Sequence, residues 1–214
     1  MHKPTDNFIL DDYPRGTVTQ WFGENPVLYR RKVGLAHHNG IDIVAPWGSP
    51  LYAIEDGVVV AVKYDPKGYG KHVRIRSHKL YNGAYRCWTY AHLANIHVAG
   101  GSEVKEGQQI GTMGNTGFVV SGHTPYWEHN PYAGTHLHLG LRLLEPDESG
   151  WRYSHDTVKI NVRHYDNGVK GSVDPVQVLK ELRPDDRRSR MLTLLSVLNQ
   201  TVALLKRLKQ KTYA

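Results

Sequence analysis

The chain has 214 residues, enough for one well-buried domain with an appendage, and a formal net charge of +7 that favours an anionic partner: nucleic acid, anionic lipid or anionic cell-wall polymer. Its single cysteine, Cys87, excludes an internal disulfide and a four-cysteine zinc site. No window approaches the roughly 18 apolar residues of a membrane span.

Residues 1–14 are polar, end at Tyr13-Pro14 and read as a mobile or loosely docked N-terminal arm. They lack the continuous apolar core of a signal peptide, so synthesis in the cytoplasm without a Sec signal is expected. Short strand-like runs follow: TVTQWF, GIDIVA, PLYAIEDGVVVAVKY, KHVRIRS, YRCWTYAHL, QQIGTMG and THLHLGLRLLE. Gly, Pro, Asn and Asp punctuate them, which predicts a mainly β, antiparallel domain over 15–183. Cys87 lies inside one of these runs and reads as a small buried strand residue. The stretch FVVSGHTPYWEHNPYAG, 118–134, is a long loop rich in aromatics and histidine, a composition that argues against disorder. Its His123, Glu128 and His129 have no regular spacing and read as solvated residues. Residues 151–170 are irregular and polar, with a hairpin as the expectation. GSVDPVQVLKEL, 171–182, predicts a short closing helix with Asp174 as N-cap and Pro175 at the first helical position.

Pro184 marks a change of character. Residues 184–214 predict a basic amphipathic helix in which Met191, Leu195, Leu198, Val202 and Leu205 alternate at spacings of four and three and share one stripe. Such a stripe packs on its own domain, pairs with a second copy, or lies on a membrane surface. The two kinds of contact expected of residues 187–211 are therefore self-association and membrane-surface attachment.

Chemistry concentrates in three places. In GTHLHLG, 134–140, strand alternation puts His136 and His138 on one face and Leu137 and Leu139 on the other. Two imidazoles on one face suit a metal, or a metal beside a proton carrier. In HHNGID, 37–42, His38 and Asp42 stand four apart, and Asn39-Gly40 makes a turn into a strand the better reading than a helix. His37 has no acid four positions on. A catalytic zinc takes three protein ligands and leaves one position for water, so His38, Asp42 and one histidine of the HLH pair would complete a set. The remaining histidine would sit where a proton acceptor is useful. In TYAHL, His92 follows a well-formed strand.

At this point the sequence resembles the lysostaphin-type zinc endopeptidases, which cut peptide bonds in bacterial peptidoglycan. The resemblance covers roughly residues 17–145 and rests on HNGIDIVAPWGSPLYAIEDGVV, YAHL, VKEGQQIGTMGNTG and THLHLGLR, in the family's order. It implies a small antiparallel β-sheet core with a narrow, loop-walled groove, one zinc ion, His38, Asp42 and His138 as ligands, and His92 and His136 as the catalytic histidines. VTQWFGENPVLYRR looks like the version in phage lysis and tail proteins, so a phage lysis enzyme or virion component acting on the cell wall is the expected setting. The chain departs from the family between GNTG and THLH, where loop 118–134 replaces a short connection and Thr135 stands where proline is common. The rival reading is a non-catalytic groove-binding regulator of cell-wall hydrolases. A nucleic-acid binder ranks lower, because basic and aromatic residues form no interleaved stripe, and no specific nucleic acid is expected.

Overall fold

The strand Leu137–Leu144 runs through the middle of the sheet, and its alternation decides which face carries chemistry. The computed structural model describes residues 2–6, 8, 17–121, 124–125, 130–146 and 162–181. In chain order the strands are β1 (Val18–Gln20), β2 (Gly40–Ile43), β3 (Pro50–Tyr52), β4 (Gly57–Asp65), β5 (Gly70–Tyr81), β6 (Ala84–Ala91) and β7 (Leu93–Ile96). Then come β8 (Glu103–Val104), β9 (Gln109–Met113), β10 (Val120–Ser121), β11 (Thr124–Pro125), β12 (Leu137–Leu144) and β13 (Ser172–Val173). Two helices, α1 (Pro26–Lys32) and α2 (Pro175–Glu181), complete the described elements. The main sheet has the order β1-β2-β12-β6-β5-β4-β8, with β13 added beside β12; β3-β9-β7 and β10-β11 form two smaller sheets. All pairings are antiparallel, as the sequence leads one to expect.

Register separates the two faces. Leu139 pairs with Ile41 on β2 and Tyr90 on β6, and Tyr90 pairs with Val73 on β5; Leu141, Trp88 and Ile75 form the next row. All of these are buried and build the core on one side of the sheet. The residues between them, His138, Gly140 and Arg142 on β12, face the other side with their partners Asp42, Ala91, Thr89 and Cys87. Cys87 is buried there, in a small cluster with Leu144 and Val162.

Several details differ from the sequence reading. PLYAIEDGVVVAVKY is not one strand: Ala53–Asp56 breaks it, and β3 and β4 join different sheets. Helix α1 was not anticipated inside VTQWFGENPVLYRR. Asn25 adopts a left-handed conformation (φ 53°) before Pro26, whose fixed φ suits the first helical position. The described part of the N-terminal arm is docked: His2 N–H donates to Ile54 O and Tyr52 N–H donates to Pro4 O, both at 2.9 Å, while Phe8 is buried. Loop 118–134 contains the short β10–β11 hairpin.

The closing helix forms where Asp174-Pro175 predicts it, with Val176 N–H donating to Asp174 Oδ1 at 2.9 Å. The chain divides into two units, 1–176 and 177–214, and of the second only residues 177–181 are described. The basic segment 184–214, residues 147–161 with much of the expected hairpin, and the loop residues His123, Glu128 and His129 lie outside the described residues.

Candidate metal centre

The turn His37–Asn39 delivers the chain into β2, where Asp42 stands directly opposite His138 on β12. That pairing places Asp42 Oδ1 3.1 Å from His138 Nδ1. His38, just before β2, turns its ring into the same space, with Nε2 3.1 Å from Asp42 Oδ1 and 2.9 Å from His138 Nδ1. Three ligand atoms thus form a small, nearly equilateral triangle among buried residues. His37 points elsewhere: its Nδ1 bonds to His38 O at 2.8 Å, and its ring lies edge-on to Phe22.

The donor chemistry of the triangle fits a cation. His38 Nδ1–H donates to Trp21 O at 3.0 Å, which turns Nε2 inward as the atom free to meet a metal. Asp42 contributes a second acceptor. Burial would raise its carboxyl pKa, but the neighbouring imidazoles of His136, His38 and His138 outweigh burial and hold it well below the usual range. Burial holds His138 neutral and leaves its Nε2 with no hydrogen-bond partner. One proton between His138 and its two neighbours cannot satisfy three inward-facing acceptors, whereas one metal ion can. A tetrahedral zinc with bonds of about 2.0–2.1 Å separates its ligands by roughly 3.3 Å, close to the triangle seen here.

Two further histidines flank this cluster without joining it. His136 Nδ1–H donates to Gly134 O at 2.7 Å, which leaves Nε2 facing the site, 3.8 Å from Asp42 Oδ1. His92 stands just past β6 with a left-handed φ of 64°, and its Nδ1–H donates to Thr116 O at 2.8 Å. A non-glycine residue held there costs about 1–3 kcal/mol, strain that concentrates at functional sites. Burial, reinforced by His136 and His138, keeps His92 well below the ordinary histidine pKa and therefore neutral. The two rings lie 4.6 Å apart.

The GNTG run, 114–117, now has a physical role. Thr116 orients His92 through its carbonyl and anchors β5 through Oγ1, which accepts from Lys71 N–H at 2.9 Å. Asn115 grips the return of the long loop by donating to Pro131 O and Ala133 O, each at 2.9 Å.

The cluster opens into a groove of about 1550 Å³. Sequence reading missed several of its walls. Tyr29 of α1 packs its ring 5.2 Å from that of His38, and Tyr69 packs 5.3 Å from His138 while its hydroxyl accepts from Asn39 Nδ2 at 2.6 Å. Burial and the Asp42 charge push the Tyr29 hydroxyl far above its usual pKa, so it stays a neutral donor. The signal for other wall residues was present: His72 and Arg74 alternate along β5, but their face is defined only once the register is known.

A buried His–Asp–His triangle on a sheet face, with two oriented histidines beside it and an open groove above, defines the class: a domain built like a mononuclear metallohydrolase. Residues 36–149 match the model of peptidase family M23, and the chain belongs to that family. The peptidoglycan DD-endopeptidase ShyA of Vibrio cholerae serotype O1 is 40% identical over 92 residues, 43% of this chain and 20% of the relative. The glycyl-glycine endopeptidase ALE-1 of Staphylococcus capitis is 32% identical over 114 residues, 53% of this chain and 28% of the relative. The matched stretches thus span less than a third of these curated relatives. Among solved structures, the antimicrobial peptidase lysostaphin from Staphylococcus simulans superposes with a TM-score of 0.51 at 21% identity, covering 79% of this chain and 51% of that one, a likeness of fold.

Proposed function

We propose that this chain is a zinc-dependent endopeptidase that hydrolyses peptide bonds in the stem peptides or cross-bridges of bacterial peptidoglycan, with His38, Asp42 and His138 holding the ion. The observation that carries the reading is the convergence of those three ligand atoms beside His136 and His92. When bound, zinc in such a site acidifies a water and polarises a carbonyl.

The chain's own groups supply the proton traffic. His136 and His92 each have Nδ1–H tied to a backbone carbonyl, so each presents Nε2 as the working nitrogen. One of these Nε2 lone pairs takes the proton of the attacking water. The protonated ring then passes its proton to the leaving amine. A complete ligand set supports this reading over that of a non-catalytic regulator.

Self-association through residues 187–211 belongs to the same proposal. The apolar stripe from Met191 to Leu205 supports it, and the segment's uncharged middle has no aromatic anchor for a lipid interface. Leu198→Asp should lower the oligomeric mass in solution; an unchanged mass with lost binding to anionic vesicles would favour the membrane instead.

Digestion of purified peptidoglycans of several chemotypes, with mass spectrometry of the fragments, tests the activity. New amino and carboxyl termini within peptides are expected; fragments cut only in the glycan would contradict it.

A further inference from the structure

The sheet face that carries the metal cluster does not end there. On β12, His138 is followed on the same face by Gly140 and Arg142; on β6 the matching residues are Ala91, Thr89 and Cys87; on β5, Thr89 pairs with Arg74 and Cys87 with Arg76. Gly140, Ala91 and Thr89 keep this face short-chained between Arg142 and Arg74, and the part of the groove that Arg142, Arg74 and His72 line here forms a trough. Tyr69 stands between cluster and trough, its ring 5.3 Å from His138 and 5.9 Å from the Arg74 guanidinium carbon.

Two polar groups in this trough are unfinished. Arg142 is only 7% exposed and its Nε has no hydrogen-bond partner. Among the described residues no carboxylate forms an ion pair with it. His72 is 3% exposed; its Nδ1–H donates to Gly70 O at 3.0 Å, so Nε2 is an inward lone pair, also without a partner. Both side chains line the groove that contains the metal cluster. A buried guanidinium without a counter-charge is costly, and the cost is recovered when a carboxylate docks. The groove is also strongly basic. Lys32, Lys63, Lys67, Arg74, Arg142 and Lys170 line the groove as a whole against Asp42 and Asp65, and Asp65 Oδ1 already accepts from Lys67 N–H at 3.1 Å.

We propose that this trough is an anion subsite in which Arg142 pairs with a carboxylate of an acidic peptide substrate while His72 Nε2 accepts from a nearby N–H of the same peptide. The inference rests on the endopeptidase reading and names the substrate chemistry that reading lacks. Four residue steps along β12 lead from His138 to Arg142, about 13 Å at roughly 3.3 Å per residue. An extended peptide cut at the metal cluster thus offers Arg142 a carboxylate two to four residues from the scissile bond. Guanidinium suits this task because its planar fork meets a carboxylate with two parallel hydrogen bonds.

The test uses two synthetic cross-linked peptides that differ only in whether the carboxylates two to four residues from the cut are free or amidated. The zinc-loaded wild type should prefer the free acid by about tenfold in kcat/KM, carried by KM, the scale of a charge-assisted hydrogen bond. Arg142→Gln should shrink that preference to under about twofold, and Arg142→Lys should keep part of it. Equal cleavage of both peptides by the wild type, or a preference that survives in folded Arg142→Gln, would overturn the subsite and leave the endopeptidase reading standing. Calorimetric titration separates the remaining case. If neither peptide is cut but the free acid still binds more tightly, the subsite stands and the activity reading falls; equal binding without cleavage removes both.

Discussion

His38 Nε2 and His138 Nδ1 face each other at 2.9 Å although 100 residues separate them in the chain. Each ring is held there by something outside the pair: His38 by its hydrogen bond to Trp21 O, His138 by its strand register opposite Asp42. The arrangement is preorganised for a cation because the backbone, and not the metal, sets both ring orientations.

Asp42→Ala removes one of the three proposed ligands. Zinc bound after dialysis should fall well below one equivalent and activity should vanish. Metal analysis of the purified variant checks this, and a variant with full zinc and full turnover would move the site elsewhere.

His136→Ala and His92→Ala should behave differently. Each should retain one zinc, because neither lies in the triangle, while turnover drops by at least about a hundredfold, a typical general acid–base contribution. Zinc loss in His136→Ala with retention in His138→Ala would reverse the roles assigned to the two histidines.

Gly40 is a positioning residue that the HNGID pattern conceals. A Cβ there would come within 2.6 Å of Leu139 O and 2.7 Å of His138 Cε1, so backbone and ligand ring would both have to yield. Gly40→Ala should weaken zinc binding and cost about 1–3 kcal/mol of stability, the usual scale of overpacking. At Gly140 the nearest atoms would be 3.5 Å away or more, and Gly140→Ala should be tolerated. Equal zinc affinity in the two variants would remove Gly40 from the site.

His72 gives the fold a pH dependence of known sign. Burial pushes its pKa down to about 4, whereas an unfolded histidine titrates near 6.5. Between those values the unfolded chain binds a proton that the folded chain refuses, so stability is lost as pH falls from about 6.5 towards 4. Melting curves across that range should slope less steeply for His72→Gln than for the wild type. Parallel slopes would show that His72 contributes nothing to acid sensitivity.

What the sequence disclosed, and what it hid, follows from how local each signal is. The HLH pair was legible because strand alternation alone aims both rings one way, and the Asn39-Gly40 turn made His38 and Asp42 adjacent without a helix. Helix α1 was hidden because its only local marks are Asn25 and Pro26 in a strand-like context. Arg142 and His72 were hidden for another reason. Each looks like an ordinary polar position on its own strand, and only the register of β12 on β6 and β6 on β5 brings them to one trough. The role of Thr116 as the acceptor that orients His92 is a backbone contact, to which side-chain identity gives no clue.

The central claim is that one zinc held by His38, Asp42 and His138 drives peptide-bond hydrolysis. Its most direct test is a titration of zinc into chelator-treated protein while release of new amino groups from peptidoglycan is followed. Activity should rise from baseline and level off at one equivalent in the wild type, and stay flat for Asp42→Ala. Full activity before any zinc is added, or a matching rise in Asp42→Ala, would contradict the account.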